Sequence, residues 1–169
     1  RSRLVAGFTL FEVLIAFFVI SVGLVGVVSL QALSKASQHQ AVQRSRAVTL
    51  ADQMLEMIRG NPRGINQYNI GLNGAVGASS QGDDPTRNCM AEACDPNQLA
   101  AYDLWAWEQA LDGASVTAAD GGGTGAGLIQ PRGCIIFEAD AANGRARTGV
   151  VDVIIQWRGL QETSDAVQG

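Results

Sequence analysis

Between Phe8 and Leu30 the chain is built from Phe, Leu, Ile, Val, Ala and Gly with a few hydroxyls, and Glu12 is its only ionisable residue. A carboxylate set that deep in an apolar segment costs about 2.5–3.5 kcal/mol to insert into lipid, so it calls for a cation. A cut between Gly7 and Phe8 would supply one. The new α-amine of Phe8 would lie one helical turn before Glu12 on the same face. A second copy staggered along the helix axis could offer the same amine from outside. The competing reading leaves Glu12 at the membrane interface with its carboxylate reaching water.

The other reactive residue types assemble less. The 3 Cys and the 1 His of the chain lack the paired spacing of a zinc site. His39 falls on a polar helical turn as a solvated side chain, so no nucleophile and base come together and catalysis is not expected. Asp83, Asp84, Glu92 and Asp95 gather oxygen ligands without the spacing of a calcium loop, and read as a solvated acidic loop. Gly121 to Gly127 runs into Leu128-Ile129-Gln130-Pro131 instead of Lys-Ser or Lys-Thr and a helix, so it reads as a turn and not a phosphate cradle. Neither a metal nor a cofactor is expected.

The elements that must position these residues emerge from pattern. Roughly 23 residues from Phe8 to Leu30, at about 1.5 Å each, make a helix of about 34 Å, enough to cross a hydrocarbon core. Arg1 and Arg3 precede this span and Lys35 alone follows closely, so the positive-inside tendency keeps the N-terminus cytoplasmic and the body of the protein outside. Beyond Leu30 there is no Gly until Gly60 and no Pro until Pro62, so the helix is free to continue to Arg59. Ala47, Leu50, Ala51, Met54, Leu55 and Ile58 then form one apolar stripe, the mark of a helix packed on a domain. A straight helix from Phe8 to Arg59 would be about 78 Å long. The chain divides on this basis into a membrane half at 8–30, an amphipathic half at 31–60 and one domain at 61–169, with residues 1–7 ahead of them. A net charge of −4 with no basic run excludes a nucleic-acid footprint.

Within the domain, residues 61 to 95 read as a long surface connection holding at most one short strand, among Ile65, Tyr68, Ile70, Leu72 and Val76. Asp95-Pro96 with Gln98 predicts a capped helix from Pro96 to about Leu111. Strands are predicted at Cys134 to Glu138 and at Val150 to Trp157, with Asn143-Gly144 marking the turn between them. Val151, Val153, Ile155 and Trp157 share the face expected to pack on the long helix. Shorter strands near Ser115 to Ala118 and at Leu128-Ile129 would complete an antiparallel sheet of about four, with a frayed tail after Gln161. In an oxidising compartment one bridge forms from three cysteines, and the short spacing favours Cys89 with Cys94. Cys134, opening the apolar run Cys134-Ile135-Ile136-Phe137, is then a buried free thiol, with a longer bridge from Cys134 to either of the others the alternative.

Gly7-Phe8-Thr9-Leu10-Phe11-Glu12 after a short basic leader resembles the type IV prepilin signature. The resemblance implies an α+β pilin fold, with the long helix packed on a small antiparallel sheet. It also makes residues 1–7 a prepilin leader, and implies cleavage after Gly7 by a prepilin peptidase, N-methylation of Phe8, and pairing of Glu12 with the amine of another subunit during assembly. Ser21-Val22-Gly23-Leu24, the stretch Ala51 to Pro62, the Cys89 to Cys94 loop and Ala101 to Trp107 are similar to the PilV class of minor type IV pilins. The apolar helix lacks the Pro of many major pilins, which points away from the main fibre subunit. This second resemblance implies a minor pilin that primes assembly with other minor pilins, the major pilin and inner-membrane machinery. It would be anchored in the inner membrane with a periplasmic head, and carried afterwards into an extracellular pilus near the tip. Twitching motility and surface attachment are the implied roles. A minor pseudopilin of a type II secretion system is the alternative, and a single-pass enzyme or receptor the third reading.

Overall fold

The computed structural model describes residues 9–82, 85, 87–114, 127–140 and 147–159. They form helix α1 (Leu10–Gly60), a 3₁₀ turn (Pro62–Gly64), helix α2 (Ile65–Tyr68), strand β1 (Gly71–Val76), helix α3 (Pro96–Asp112) and strands β2 (Arg132–Ala139) and β3 (Gly149–Gln156). The fold is α+β, with one antiparallel sheet in the order β1-β2-β3 among these residues. The chain separates into two units, through Ala41 and from Val42 onward.

The first unit holds the apolar part of α1, where Leu10, Phe17, Phe18 and Leu24 are all exposed. No Pro interrupts it, and Ser21 and Ser29 turn their hydroxyls back onto the carbonyls of Phe17 and Val25, which hides those polar groups within the helix. This helix is long and apolar enough to cross a membrane.

In the second unit the stripe closes on a core. Ala47, Met54 and Ile58 of α1 are buried with Tyr68 of α2, Leu104, Trp107 and Leu111 of α3, and Ile135 of β2. The Trp107 indole N–H donates to the Leu50 carbonyl at 3.0 Å, tying α3 to α1. Gly60 ends α1, and Asn61 then donates to the Pro96 carbonyl at 2.7 Å, while the Tyr68 hydroxyl donates to Asp103. Burial together with the Asp103 carboxylate pushes the Tyr68 hydroxyl up, and burial pushes Asp103 up despite the phenol it accepts from. Asp95 and Gln98 form the expected capping box, and α3 ends at the left-handed Gly113.

Residues 61–82 are more ordered than a surface connection. Asn61, Gly64, Ile65, Tyr68, Val76 and Gly77 are buried, because the 3₁₀ turn, α2 and β1 pack beneath α3 and beside β2. Leu128-Ile129 is not a strand. Leu128 instead buries its side chain and donates its N–H to the Leu111 carbonyl at 3.0 Å, which leaves the pairing to β2. The sheet therefore has three described strands where about four were expected. The strand expected at Ser115 to Ala118, the Asn143-Gly144 turn, the Gly121 to Ala126 run, Asp83-Asp84 and the tail from Leu160 lie outside the described residues.

The loop after β1 has unusual geometry. Gly77 (φ 130°), Ala78 (φ 54°) and Ser79 (φ 59°) all have positive φ, and a side chain at Gly77 would strike the Pro131 carbonyl oxygen, its Cβ 2.2 Å away. Two carboxylates one turn apart on α3 hold this loop. Glu108, fully buried, accepts from the N–H groups of Gly77 (2.8 Å), Ser80 (2.6 Å) and Gln81 (2.9 Å) and from the Ser80 hydroxyl (2.6 Å). Asp112 accepts from Ala78 (2.9 Å) and Ser79 (3.0 Å). Left-handed backbone at Ala78 and Ser79 costs about 1–2 kcal/mol each, which these charge-assisted bonds offset.

Burial pushes the Glu108 carboxyl up, but the four donors outweigh it and hold the group below the ordinary carboxylate range. A carboxylate of depressed pKa stabilises the fold above its unfolded value of about 4.3, and that contribution is lost as pH falls through the folded value. Glu108→Ala should therefore cost about 3 kcal/mol in chemical denaturation at neutral pH, and the deficit relative to the parent chain should shrink under acid conditions. A deficit that does not change with pH would contradict the charged clip.

Candidate functional site

Helix α1 begins with a reciprocal cap. Glu12 Oε2 accepts from the Thr9 N–H at 2.9 Å and from the Thr9 hydroxyl at 3.1 Å, while the Glu12 N–H donates back to that hydroxyl at 3.3 Å. This is the Thr-x-x-Glu capping box, and it places a carboxylate where the positive end of the helix dipole favours it. Oε1 accepts from no group among the described residues, which leaves it available for a further cation. Gly7 and Phe8 lie outside the described residues. The role of Thr9 is missed by a reading that weighs only the apolar run around it, although the three-residue spacing to Glu12 is the signal that could have found it.

The second site is a staple. Cys89 and Cys94 form a disulfide with Cα atoms 5.6 Å apart, directly before the Asp95 cap of α3. Inside the ring, the N–H groups of Ala91 and Glu92 donate to the Asn88 carbonyl at 3.1 and 3.0 Å, and Arg87 pairs with Glu92 at 3.1 Å. The ring thus anchors the loop to the start of α3. Cys134 is free and buried, and burial pushes its thiol up against a smaller opposing pull from Arg132. Such a thiol stays protonated and unreactive. His39 is exposed on α1, and no three His, Cys, Asp or Glu side chains cluster for a metal among the described residues.

An apolar helix opening on one capped carboxylate and continuing into the core of a small α+β unit with a three-stranded antiparallel sheet defines a pilin-like fold. Residues 29–105 match the family Tt1218-like, described as Type IV pilin Tt1218, and residues 2–28 match the Prokaryotic N-terminal methylation motif. The two matches, which together span residues 2–105, support a type IV pilin, and that family is one of structural subunits. The motif and the apolar helix are those of an inner-membrane-anchored pilin that prepilin peptidase processes and pilus assembly machinery takes up. No curated protein and no solved structure matches the chain significantly.

Thiol counting checks the staple. Alkylation of the native, unreduced protein should label nothing rapidly, unfolding should expose one thiol, and reduction after unfolding should expose three. Reducing so small a ring should cost roughly 2 kcal/mol in stability. Two labelled thiols before reduction, or cleavage products joining Cys134 to either partner, would overturn the pairing.

Proposed function

We propose that this chain is a minor type IV pilin that helps prime pilus assembly and sits at or near the tip. The leader 1–7 is removed after Gly7, Phe8 becomes the methylated N-terminus, and residues 8–30 hold the subunit in the inner membrane. Residues 31–60 carry the helix on, and 61–169 form the periplasmic head, which reaches the cell exterior once the fibre is built. The observation that carries this reading is the match of residues 2–28 to the methylation motif, which covers the start of a helix whose apolar part has a single carboxylate, Glu12, in the first turn.

The chemistry of the charge pair supports it. Glu12 is capped by Thr9 through Oε2, so Oε1 can meet the α-amine of a neighbouring subunit's first residue. The pairing fixes the axial stagger between subunits, because a displaced carboxylate would be left in an apolar surround at a cost of several kcal/mol. The absence of Pro from the apolar helix favours a minor subunit over the main one, and similarity to the PilV class rests on the stretch Ala51 to Pro62 and the stapled loop. Its partners would be other minor pilins and the major pilin, and its contribution would be to twitching motility and attachment.

Intact mass of the chain from its own membrane tests the reading. A species starting at Phe8 and heavier by one methyl group is expected. Gly7 replaced by Leu should leave the precursor uncut. Glu12→Ala should be processed normally yet lose most of its incorporation into sheared surface fibres, and undiminished incorporation would remove the charge-pair role. Processing without recovery in fibres, combined with a protein-export defect on deletion, would assign the chain instead to a secretion pseudopilin.

A further inference from the structure

The middle of β1 is a turn and not a ladder. β1 meets β2 at Gly71 opposite Ile135 and at Val76 opposite Gly133, which leaves Leu72 to Ala75 opposite Cys134 alone. Gly71 takes a positive φ of 65°, and a Cβ at Gly74 would lie 2.6 Å from the Ile70 carbonyl oxygen. Four residues of extended strand would separate those positions by about 13 Å, so the backbone here folds back on itself. Both ends of the bulge are fastened. The Cys134 thiol donates to the Leu72 carbonyl at 3.9 Å, Val76 is fully buried, and the Gly77 N–H donates to Glu108 at 2.8 Å. Asn73 and Gly74 lie between these anchors, exposed and without a partner residue in β2.

Asparagine followed by glycine is the pair in which a side-chain amide and the next backbone nitrogen react most readily. Glycine has no Cβ to crowd the ring they form, and it reaches the backbone angles the ring needs. The other described asparagines lack this combination. Asn61 precedes Pro62, which has no N–H, and Asn66 and Asn97 lie in helices. Asn69 accepts from the Phe137 N–H at 3.1 Å and Asn88 from the Met90 N–H at 3.0 Å, so both side chains are already engaged. Asn143-Gly144 repeats the pair outside the described residues.

We propose that Asn73 is a site of spontaneous deamidation, with Gly74 as its built-in nucleophile. The Gly74 nitrogen gives its proton to solvent and bonds to the Asn73 Cγ, and the Cγ–Nδ2 bond breaks to release ammonia. The resulting five-membered imide takes up one water. Opening at the former side-chain carbonyl gives aspartate. Opening at the main-chain carbonyl gives isoaspartate, in which the chain runs through Cβ and Cγ and gains one methylene. One water enters, one ammonia leaves, and no electron is transferred. The bulge accommodates the longer backbone, because no pair between Gly71 and Val76 has to shift. The product places a new carboxylate on the exposed turn. The inference rests on this turn and not on the pilin reading.

Full-length protein kept folded in detergent, in mildly alkaline buffer made with heavy-oxygen water, tests this. After several days it is digested in ordinary water, so that only change in the intact chain carries the label. The tryptic peptide 64–87 should then show Asn73 converted and labelled, with isoaspartate among the products, while Asn66 and Asn69 of the same peptide keep their amides. Asn73→Gln, whose longer side chain would need a larger ring, should remain an amide over the same period. Labelling of Asn73 only in protein first unfolded by denaturant would overturn the proposal, because the fold would then guard the site. So would equal conversion of Asn66, Asn69 and Asn73, or labelled aspartate without isoaspartate, which marks direct hydrolysis of the amide and no imide.

Discussion

The Trp107 indole is the side chain on which the second unit depends. It is fully buried, its N–H reaches the Leu50 carbonyl of α1 at 3.0 Å, and its ring edge fills the space a side chain at Gly133 of β2 would need. A Cβ at Gly133 would lie 2.4 Å from the ring, so only glycine lets β2 approach this closely. One residue therefore sets the spacing between the long helix, the short helix and the sheet. Truncating a buried Trp costs about 3–5 kcal/mol, a large share of a small domain's stability.

Around that wedge, carboxylates do different work according to who donates to them. Glu108 is buried, yet its acidity is strengthened, because three backbone N–H groups and a hydroxyl converge on it. Asp103 has one phenol for company, and burial prevails. At Glu108 the donors outweigh burial, and at Asp103 a single donor does not. Glu12, in the first unit, differs again: the hydroxyl and N–H of Thr9 satisfy one oxygen, and the other accepts from no group among the described residues.

The parts of this fold that were legible from sequence are those written in neighbouring residues. The apolar run, the stripe from Ala47 to Ile58, the Asp95 and Gln98 cap, the β-branched strand at 150 to 157 and the short cysteine spacing each state their own structure. What escaped is written across distance. Nothing near Glu108 announces that amides about thirty residues earlier will fold onto it, and its place beside Trp107 resembled a polar flank of an amphipathic helix. β1 is poor in β-formers and pairs irregularly with β2, so its strand exists because the partner holds it, as tertiary context overrides propensity. Leu128 reads as a strand residue by type, but its burial under α3 leaves no ladder for it to join.

Helix α1 faces two solvents without a break. Up to Leu30 it is apolar all round, and from Ala47 its apolar residues narrow to one stripe, so one backbone passes from a lipid-matched surface to a protein-matched one. More than a dozen large apolar side chains are exposed along the first part, worth on the order of 20 kcal/mol or more if covered, against about 3 kcal/mol for carrying Glu12 along. The apolar surface decides that this half is covered at all times, by lipid or by other helices. The carboxylate is too weak a term to oppose that. On the proposed reading it acts instead as a selector, because among many equally greasy ways of packing such helices only a stagger that brings an amine to Glu12 avoids stranding its charge. On that reading affinity comes from the smooth apolar face and register from its single charged group, so that one residue in this stretch would govern assembly while contributing little to the energy of insertion.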